Sequence, residues 1–210
     1  DTKWKINNLG KGWVLGETLI TGIGQGYTQT TPIQLCLMTA QIANGGYKIT
    51  PKILTDDNQI TSKQIKKIME NNISNKPYEK LFDNQKNIKI IQDAMFGSTN
   101  ELRGTSYKSR IDNPKYQFAG KTGTAQVKRI SKRERELDLK TSQIPYKERD
   151  HALYVAYGPY KNPRYALSII VEHGGSGSAA AAPIATKLFK LIIDRHQERK
   201  QISDFKEFNI

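Results

Sequence analysis

The sequence has few of the residues on which several common classes of protein depend. Cys36 is the only cysteine among 210 residues, so the chain can form neither an internal disulfide nor a cysteine-rich metal site. No apolar run approaches the roughly 20 residues that a membrane-spanning helix needs. The histidines His151, His173 and His196 stand far apart without ligand spacing. We therefore expect no metal and no organic cofactor.

The chain also has no initiator Met and no signal peptide at Asp1. We therefore expect it to be a piece of a longer protein, and a membrane anchor could lie in the part that precedes it. The formal net charge of +13 permits nucleic acid, an anionic membrane or an acidic substrate without selecting one of them. The charged run Lys128–Lys140 mixes both signs and lacks aromatic residues, which argues against a nucleic-acid site.

Helix and turn signals organise the first half of the chain. Thr31 followed by Pro32 is typical of a helix start, and Asn44-Gly45-Gly46 of a helix end. The residues between them are apolar nearly all round, which predicts a buried helix. We expect a strand over Tyr47–Leu54, surface helix and loop over 55–87, and a helix over Asn87–Phe96.

The second half of the chain predicts a sheet and a final helix. The predicted strands are Phe118–Val127, Ala152–Gly158 and Tyr165–Glu172, and the short turn between the last two indicates an antiparallel hairpin. A long loop from Lys128 to Asp150 separates the first two strands. A final helix begins at Pro183 with the apolar stripe Ile184, Leu188, Leu191 and Ile192. The fold class is α+β, an antiparallel sheet covered by helices.

The run Gly120-Lys121-Thr122-Gly123-Thr124 carries the strongest chemical signal. It is not a phosphate-binding loop, because Lys115 stands where that loop needs a glycine and the following residues are typical of a strand. Gly22, Gly24 and Gly26 fail as a dinucleotide motif, since Tyr27 occupies the third glycine position.

On a strand, Lys121 and Gly123 share one face, whereas Thr122 and Thr124 share the other. A cation and two hydroxyls can bind a terminal carboxylate, and backbone N–H groups can donate hydrogen bonds to a developing oxyanion. Gly123 removes side-chain bulk, so that a peptide-like substrate can lie against the strand. Lys-Thr-Gly is one of three motifs of penicillin-interacting serine enzymes.

Several further blocks occur in the order of one family. They are Gly22-Ile23-Gly24-Gln25-Gly26-Tyr27 with Thr31-Pro32-Ile33-Gln34-Leu35, Ala43-Asn44-Gly45-Gly46, Gly120–Val127, His151–Pro159, Asn162–Ala166, and Val171–Gly175 with Ala180–Ala185. Together they resemble the penicillin-binding protein 2 family, the class B peptidoglycan D,D-transpeptidases of bacterial cell elongation. The resemblance implies that residues 1–210 form the C-terminal portion of a transpeptidase domain with the penicillin-binding, serine β-lactamase-like fold.

The resemblance also implies what the site residues do. Lys121 and Thr124 would be catalytic, and Thr122, Gly123 and Thr124 would bind substrate. The partners would be peptidoglycan stem peptides, β-lactams and a membrane glycosyltransferase of the elongation complex, but no nucleic acid. The catalytic domain would face the periplasm from the inner membrane.

In that family the Ser-x-x-Lys motif, which contains the nucleophilic serine, and the Ser-x-Asn motif both precede the loop that corresponds to Gly22–Gly26. We therefore expect both motifs to lie before Asp1. Ser203-Asp204-Phe205-Lys206 and Ser98-Thr99-Asn100 match the two motifs in letters but stand after that loop, so we interpret both as coincidence. We therefore expect these 210 residues to be inactive by themselves.

Two alternatives stay open at this point. One is a non-catalytic β-lactam sensor or scaffold of the same fold. The other is a basic nucleic-acid-binding domain, which the net charge allows.

Overall fold

The computed structural model describes residues 1–51, 79–128, 136–137 and 139–207, with residues 196–207 described by their backbone only. The chain divides into two compact units, Asp1–Thr31 and Pro32–Ile210. Its α-helices and β-strands are α1 Thr2–Leu9, α2 Leu15–Gly22, α3 Pro32–Ala43, α4 Gln85–Asn100, β1 Ala119–Ala125, β2 His151–Gly158, β3 Tyr165–Val171 and α5 Ala182–Glu207. Within the described residues, no helix has the length and apolar character that crossing a membrane requires.

The first unit contains two helices that the sequence pattern did not reveal. α1 begins at Asp1, whose carboxylate accepts a hydrogen bond from the N–H of Trp4 at 2.8 Å. The residue that α1 buries is Lys5, which pairs with Glu17 of α2 and donates to the carbonyl of Gly12 at 2.7 Å. The hydrogen bond from Lys5 lowers the pKa of Glu17. A helix whose buried residue is a lysine has no apolar stripe, so its period could not be recognised.

The second unit is built on a three-stranded antiparallel sheet with the order β1-β2-β3. Thr122 of β1 lies opposite Tyr154 of β2, which lies opposite Ile169 of β3. The predicted strands and the predicted hairpin are confirmed, with ends that differ by a residue or two. The α+β fold class is confirmed as well.

Each face of the sheet has its own core. The core beneath α5 contains Ile111, Phe118, Ala152, Tyr154, Ala156, Ala181, Ala182, Ala185, Phe189 and Ile193. The core on the side of α3 and α4 contains Met95, Ala119 and Tyr157, with Ile42, Ala43 and Phe96 packed against them. Helices therefore cover both faces of β1 near its start and leave the rest of that strand more exposed.

The predicted stripe of α5 was wrong. Ile184 is 39% and Leu191 68% exposed, and Leu188 and Ile192 are half-buried. Among the described side chains of this helix, the buried ones are Ala182, Ala185, Phe189 and Ile193, which also follow a helical period. Small alanines at the start of the helix let it approach the sheet closely, so hydrophobicity alone selected the wrong face. A π-helical turn, Gly177–Ala181, precedes this helix.

The predicted burial of α3 was also wrong in part. Its bounds and its glycine end are confirmed, with positive φ at Gly45 and Gly46. Ile33 and Met38 are exposed, however, and Thr39 is its one fully buried residue among those described. α3 packs mainly on β3 and also contacts β2 and α4.

The predicted strand Tyr47–Leu54 was wrong over its described part. Tyr47 forms a single antiparallel bridge with Lys80, and residues 48–51 are irregular. The side chain of Asn44 bonds both the N–H and the carbonyl of Tyr47, which holds that residue in a turn. Residues 52–54, and the predicted surface segment up to residue 78, lie outside the described residues. α4 is confirmed and is longer than predicted.

The predicted loop between the first two strands contains two short 3₁₀ turns, Thr141–Gln143 and Tyr146–Glu148. Of its remaining residues, 129–135 and 138 lie outside the described residues. The loop ends at Asp150, whose carboxylate accepts from the N–H of Val127 at 3.2 Å. This contact ties the end of the loop to the residues that follow β1.

We predict that Phe189→Ala lowers the free energy of unfolding by ~3–5 kcal/mol. The Phe189 side chain is fully buried and stacks on Phe118 with ring centroids 4.9 Å apart, so its removal leaves a cavity beneath the sheet. Leu191→Ala, on the exposed side of the same helix, should change stability by only ~0.5 kcal/mol. Urea titrations of the two variants measure both values, and equal losses would show that the buried face is misassigned.

Candidate active site

Lys121, Thr122, Gly123 and Thr124 lie on β1, at an edge of the sheet formed by the described residues. Lys121 and Thr124 are exposed, whereas Thr122 and Gly123 are half-buried. The ammonium of Lys121 donates to the carbonyl of Thr122 at 2.8 Å and reaches its hydroxyl at 3.4 Å. The structure thus brings the predicted residues together as one group, while their roles stay predictions.

The backbone of β1 presents hydrogen-bonding groups along its outer edge. The amide of Asn100 donates to the carbonyl of Phe118 at 3.0 Å, and Lys121 donates to that of Thr122. Both acceptors therefore face away from β2. Because alternate residues of a strand direct their backbone groups to the same side, the N–H of Thr124 is directed to this edge too. That orientation is compatible with a donor to an oxyanion.

A chain of hydroxyl groups leads away from the site. Thr122 Oγ1 lies 3.3 Å from Thr105 Oγ1, which lies 3.2 Å from Ser98 Oγ. Ser98 belongs to the last turn of α4, and Thr105 to the turn that follows this helix. The outer hydroxyl chain, as we name these three groups, connects the end of α4 with the site strand.

A second set of hydroxyls lies beneath the first and is buried. The phenol oxygen of Tyr154 lies 2.9 Å from Thr99 Oγ1 and 3.1 Å from Ser106 Oγ, and Ser106 Oγ donates to the carbonyl of Ser98 at 3.0 Å. All three residues of this buried triad, Tyr154, Thr99 and Ser106, are at most 1% exposed. Burial raises the pKa of Tyr154, although the hydrogen bonds with Ser106 and Thr99 oppose that effect. The phenol therefore stays protonated and can donate.

Two glycines permit this close packing. A Cβ at Gly120 would lie 2.4 Å from the phenol oxygen of Tyr154, because the ring crosses the strand at that point. A Cβ at Gly104 would lie 2.4 Å from the carbonyl oxygen of Ser98, where the turn after α4 folds back on the helix end. Neither position can hold a side chain without moving the hydroxyl groups.

The π-helical turn approaches the site from the face covered by α5. A Cβ at Gly177 would lie 2.5 Å from the carbonyl oxygen of Leu153 and 2.8 Å from that of Gly123. The turn therefore rests directly on the backbone of β1 and β2. Gly123 itself has a near neighbour in Leu153, whose Cβ would be 3.2 Å from an added methyl group. The middle of the site strand is thus supported from beneath.

A groove of 610 Å³ adjoins the exposed lysine of the site. It is lined by apolar side chains of α4 and by charged residues, among them Ile90, Ile91, Ala94, Met95, Asp93, Glu101, Arg103 and Lys121. Ser98 and Thr105 of the outer hydroxyl chain border it too. Lys121 therefore belongs both to the groove and to the open edge of the strand.

His151 and His173 lie together, although they are far apart in sequence. The N–H of His173 donates to Nδ1 of His151 at 2.9 Å, and Nδ1 of His173 lies 3.0 Å from the carbonyl oxygen of Arg149. The antiparallel pairing of β2 and β3 produces this contact. In the part of the chain that the structure describes, no three His, Cys, Asp or Glu side chains gather into a possible metal site.

Sequence reasoning missed the hydroxyl groups around the site. It interpreted Ser98-Thr99-Asn100 as a chance match to a catalytic motif, and the amide of Asn100 does bond backbone carbonyls of Phe96 and Phe118. Ser98 and Thr99 nevertheless lie beside the site strand. The sequence signal that could have pointed to them is the polar turn Gly104-Thr105-Ser106 between α4 and β1.

Comparison with known proteins gives a consistent result. The family model described as the penicillin binding protein transpeptidase domain matches residues 2–190. The chain is 34% identical to the peptidoglycan D,D-transpeptidase MrdA of Salmonella typhimurium over 198 residues, which is 94% of this chain and 30% of that protein. MrdA of Haemophilus influenzae is 32% identical, covering 92% of this chain and 28% of the relative. The chain thus spans less than a third of the length of these relatives.

Solved structures of penicillin-binding proteins also match this chain. A complex between penicillin-binding protein 2 and MreC from Helicobacter pylori matches with a TM-score of 0.70 and 30% identity, covering 92% of this chain and 30% of that one. Penicillin-binding protein 2 of Pseudomonas aeruginosa, in complex with WCK 5153, matches with a TM-score of 0.66 and 35% identity, over 90% of this chain and 36% of that one.

We predict that Gly120→Ala lowers the free energy of unfolding by ~1–3 kcal/mol, the usual cost of overpacking a core. The added methyl group displaces the ring of Tyr154 and breaks its contacts with Thr99 and Ser106. Gly12→Ala is the matched control, because no atom lies within 4 Å of its added Cβ. Chemical denaturation of both variants compares the effects, and a Gly120→Ala chain as stable as the control would contradict the packing described.

Proposed function

The chain belongs to the penicillin-binding transpeptidase family, and we propose that the complete protein containing it is a serine D,D-transpeptidase of cell elongation. It would cross-link the stem peptides of peptidoglycan through an acyl-enzyme. The observation that supports this proposal is the joint placement of Lys121, Thr122 and Thr124 on the open edge of β1. A cation, two hydroxyls and a backbone N–H would there be within reach of one extended peptide.

The reaction would proceed by two acyl transfers. A serine oxygen, supplied by a part of the protein outside these 210 residues, attacks the penultimate D-Ala carbonyl of a stem peptide. The tetrahedral intermediate collapses, the terminal D-Ala leaves with a proton, and an ester remains. An amine of a neighbouring strand then attacks the ester, forms the cross-link and releases the serine. β-Lactams would acylate the same serine.

The residues of β1 would have two roles, to bind the substrate and to stabilise the charge that develops in the reaction. The N–H of Thr124 would donate to the oxyanion, which needs a donor fixed before the charge develops. Thr122 and Thr124 would donate their hydroxyls to the terminal carboxylate, and Gly123 would leave room for the peptide backbone. Lys121 would supply positive potential and assist proton transfer with a serine of the Ser-x-Asn motif. The reaction needs no cofactor and no metal.

The cellular setting belongs to the proposal as well. The protein would sit in the bacterial inner membrane with its catalytic domain facing the periplasm, where peptidoglycan is cross-linked. Its partner would be a membrane glycosyltransferase of the elongation complex, which supplies the glycan strands. The relatives named MrdA support the cross-linking part of this proposal, because their name is peptidoglycan D,D-transpeptidase.

We expect a fluorescent penicillin to label the complete protein covalently and to leave the 210-residue chain unlabelled. The reason is that the acylated serine lies outside the chain. Fluorescence on a denaturing gel measures the labelling, and excess benzylpenicillin should abolish it. A stem-peptide assay should then yield cross-linked product. Covalent labelling of the chain alone, or acylation without any cross-linking, would contradict the proposal, and the latter result would indicate a sensor or scaffold.

We predict that Lys121→Ala in the complete protein slows acylation by about a hundredfold or more, since a cation or oxyanion donor in such a site contributes ~3 kcal/mol. The fold should persist, because the Lys121 side chain is exposed. Lys161→Ala removes an equal charge from the exposed turn between β2 and β3 and serves as the control. Second-order rate constants with penicillin decide the matter, and an unchanged constant for Lys121→Ala would refute its role.

A further inference from the structure

The hydroxyl of Thr122 has a limited number of hydrogen-bonding positions. A threonine hydroxyl accepts through two lone pairs and donates one proton. Lys121 Nζ donates to Thr122 Oγ1 at 3.4 Å, and an ammonium has no lone pair with which to accept. One of the two acceptor positions of Thr122 is therefore taken by the cation next to it.

The second position of Thr122 is set by Thr105. The two Oγ1 atoms are 3.3 Å apart, and either hydroxyl can donate to the other. If Thr122 donated to Thr105, its only proton would be unavailable to an anion. If Thr105 donates instead, both lone pairs of Thr122 are occupied and its proton can point only outward. The direction of this one bond decides whether Thr122 can bind a carboxylate.

The third hydroxyl of the chain is compatible with the outward direction. Ser98 Oγ lies 3.2 Å from Thr105 Oγ1 and can donate to it, leaving the proton of Thr105 free for Thr122. Thr105 and Ser98 are held in place from beneath, because the N–H and the hydroxyl of Ser106 both donate to the carbonyl of Ser98 at 3.0 Å. The backbone next to both hydroxyls is therefore held in place before any substrate arrives.

From this geometry we propose that Thr105 is a positioning residue, which commits the hydroxyl of Thr122 to donate to the carboxylate of the substrate. The hydrogen bonds run from Ser98 to Thr105, from Thr105 to Thr122, and from Thr122 to the carboxylate. Thr105 itself does not touch substrate. This inference rests on the proposed function, because it assigns a role in carboxylate recognition at the same site.

The test compares two probes on the complete protein: benzylpenicillin, which carries a free carboxylate, and its methyl ester, which does not. Thr105→Val keeps the shape of the side chain and removes the hydroxyl. We expect it to slow acylation by benzylpenicillin about fivefold, the effect of one neutral hydrogen bond, and to leave the rate with the ester unchanged. Thr105→Ser should restore the wild-type rate, and Ser98→Ala should show a smaller loss with the same selectivity for the acid.

Thr50→Val, an exposed threonine in another part of the chain, is the control for a general effect of the substitution. Thermal unfolding midpoints identify any variant that fails to fold, in which case Ser98→Ala and Thr105→Ser still decide the question. The inference is overturned if Thr105→Val reacts with benzylpenicillin at the wild-type rate. It is equally overturned if acid and ester lose the same factor, or if Thr105→Ser is as slow as Thr105→Val. A wild-type protein that reacts with neither probe instead overturns the proposed function itself.

Discussion

The geometry of the site depends on one buried contact, the hydroxyl of Tyr154 with the hydroxyls of Thr99 and Ser106. A buried hydroxyl without a partner costs ~1–3 kcal/mol, so polar partners from outside the sheet stabilise the phenol of Tyr154 in the core. The end of α4 and the turn after it supply them. Because Ser98 and Thr105 are the chain neighbours of these partners, the same contact brings both to the edge of β1. The packing of Tyr154 in the core therefore determines where the outer hydroxyl chain lies.

Glycines make this placement possible because they let backbone and rings approach closely. Gly120 gives the ring of Tyr154 a path across β1, and Gly104 lets the turn close on the end of α4. Gly177 does the same further along the strand, where the π-helical turn rests on the backbone of Gly123. Gly120 and Gly123, on either side of Lys121, thus have different structural roles. The first admits a core side chain, whereas the second lies over a supporting turn and faces the site.

The sheet could be predicted from the sequence because its signals are local. Alternating side chains and a short turn are enough to define β2 and β3 as a hairpin. The hydroxyl contacts could not be predicted, since Thr99 and Tyr154 are 55 residues apart and no local pattern joins them. Hydrophobicity also misled on α5, where it favoured Leu191, because alanines allow the other face to come nearer to the sheet. The site motif was visible in the sequence, but its supports were not.

An open strand edge is usually a liability, since its unpaired backbone groups can pair with another chain. Among the described residues, the edge of β1 carries the exposed side chains of Lys121 and Thr124, which oppose pairing with an arbitrary apolar strand. When a peptide pairs with a strand edge, the main-chain hydrogen bonds provide affinity that depends little on the side chains of the peptide. Selectivity must therefore come from other contacts. On the proposed function it comes from the end of the peptide, where a terminal carboxylate accepts from Thr122 and Thr124 and its negative charge is attracted by the cation beside them. Because an internal peptide bond brings no such charge, a site with this role would select the ends of peptides.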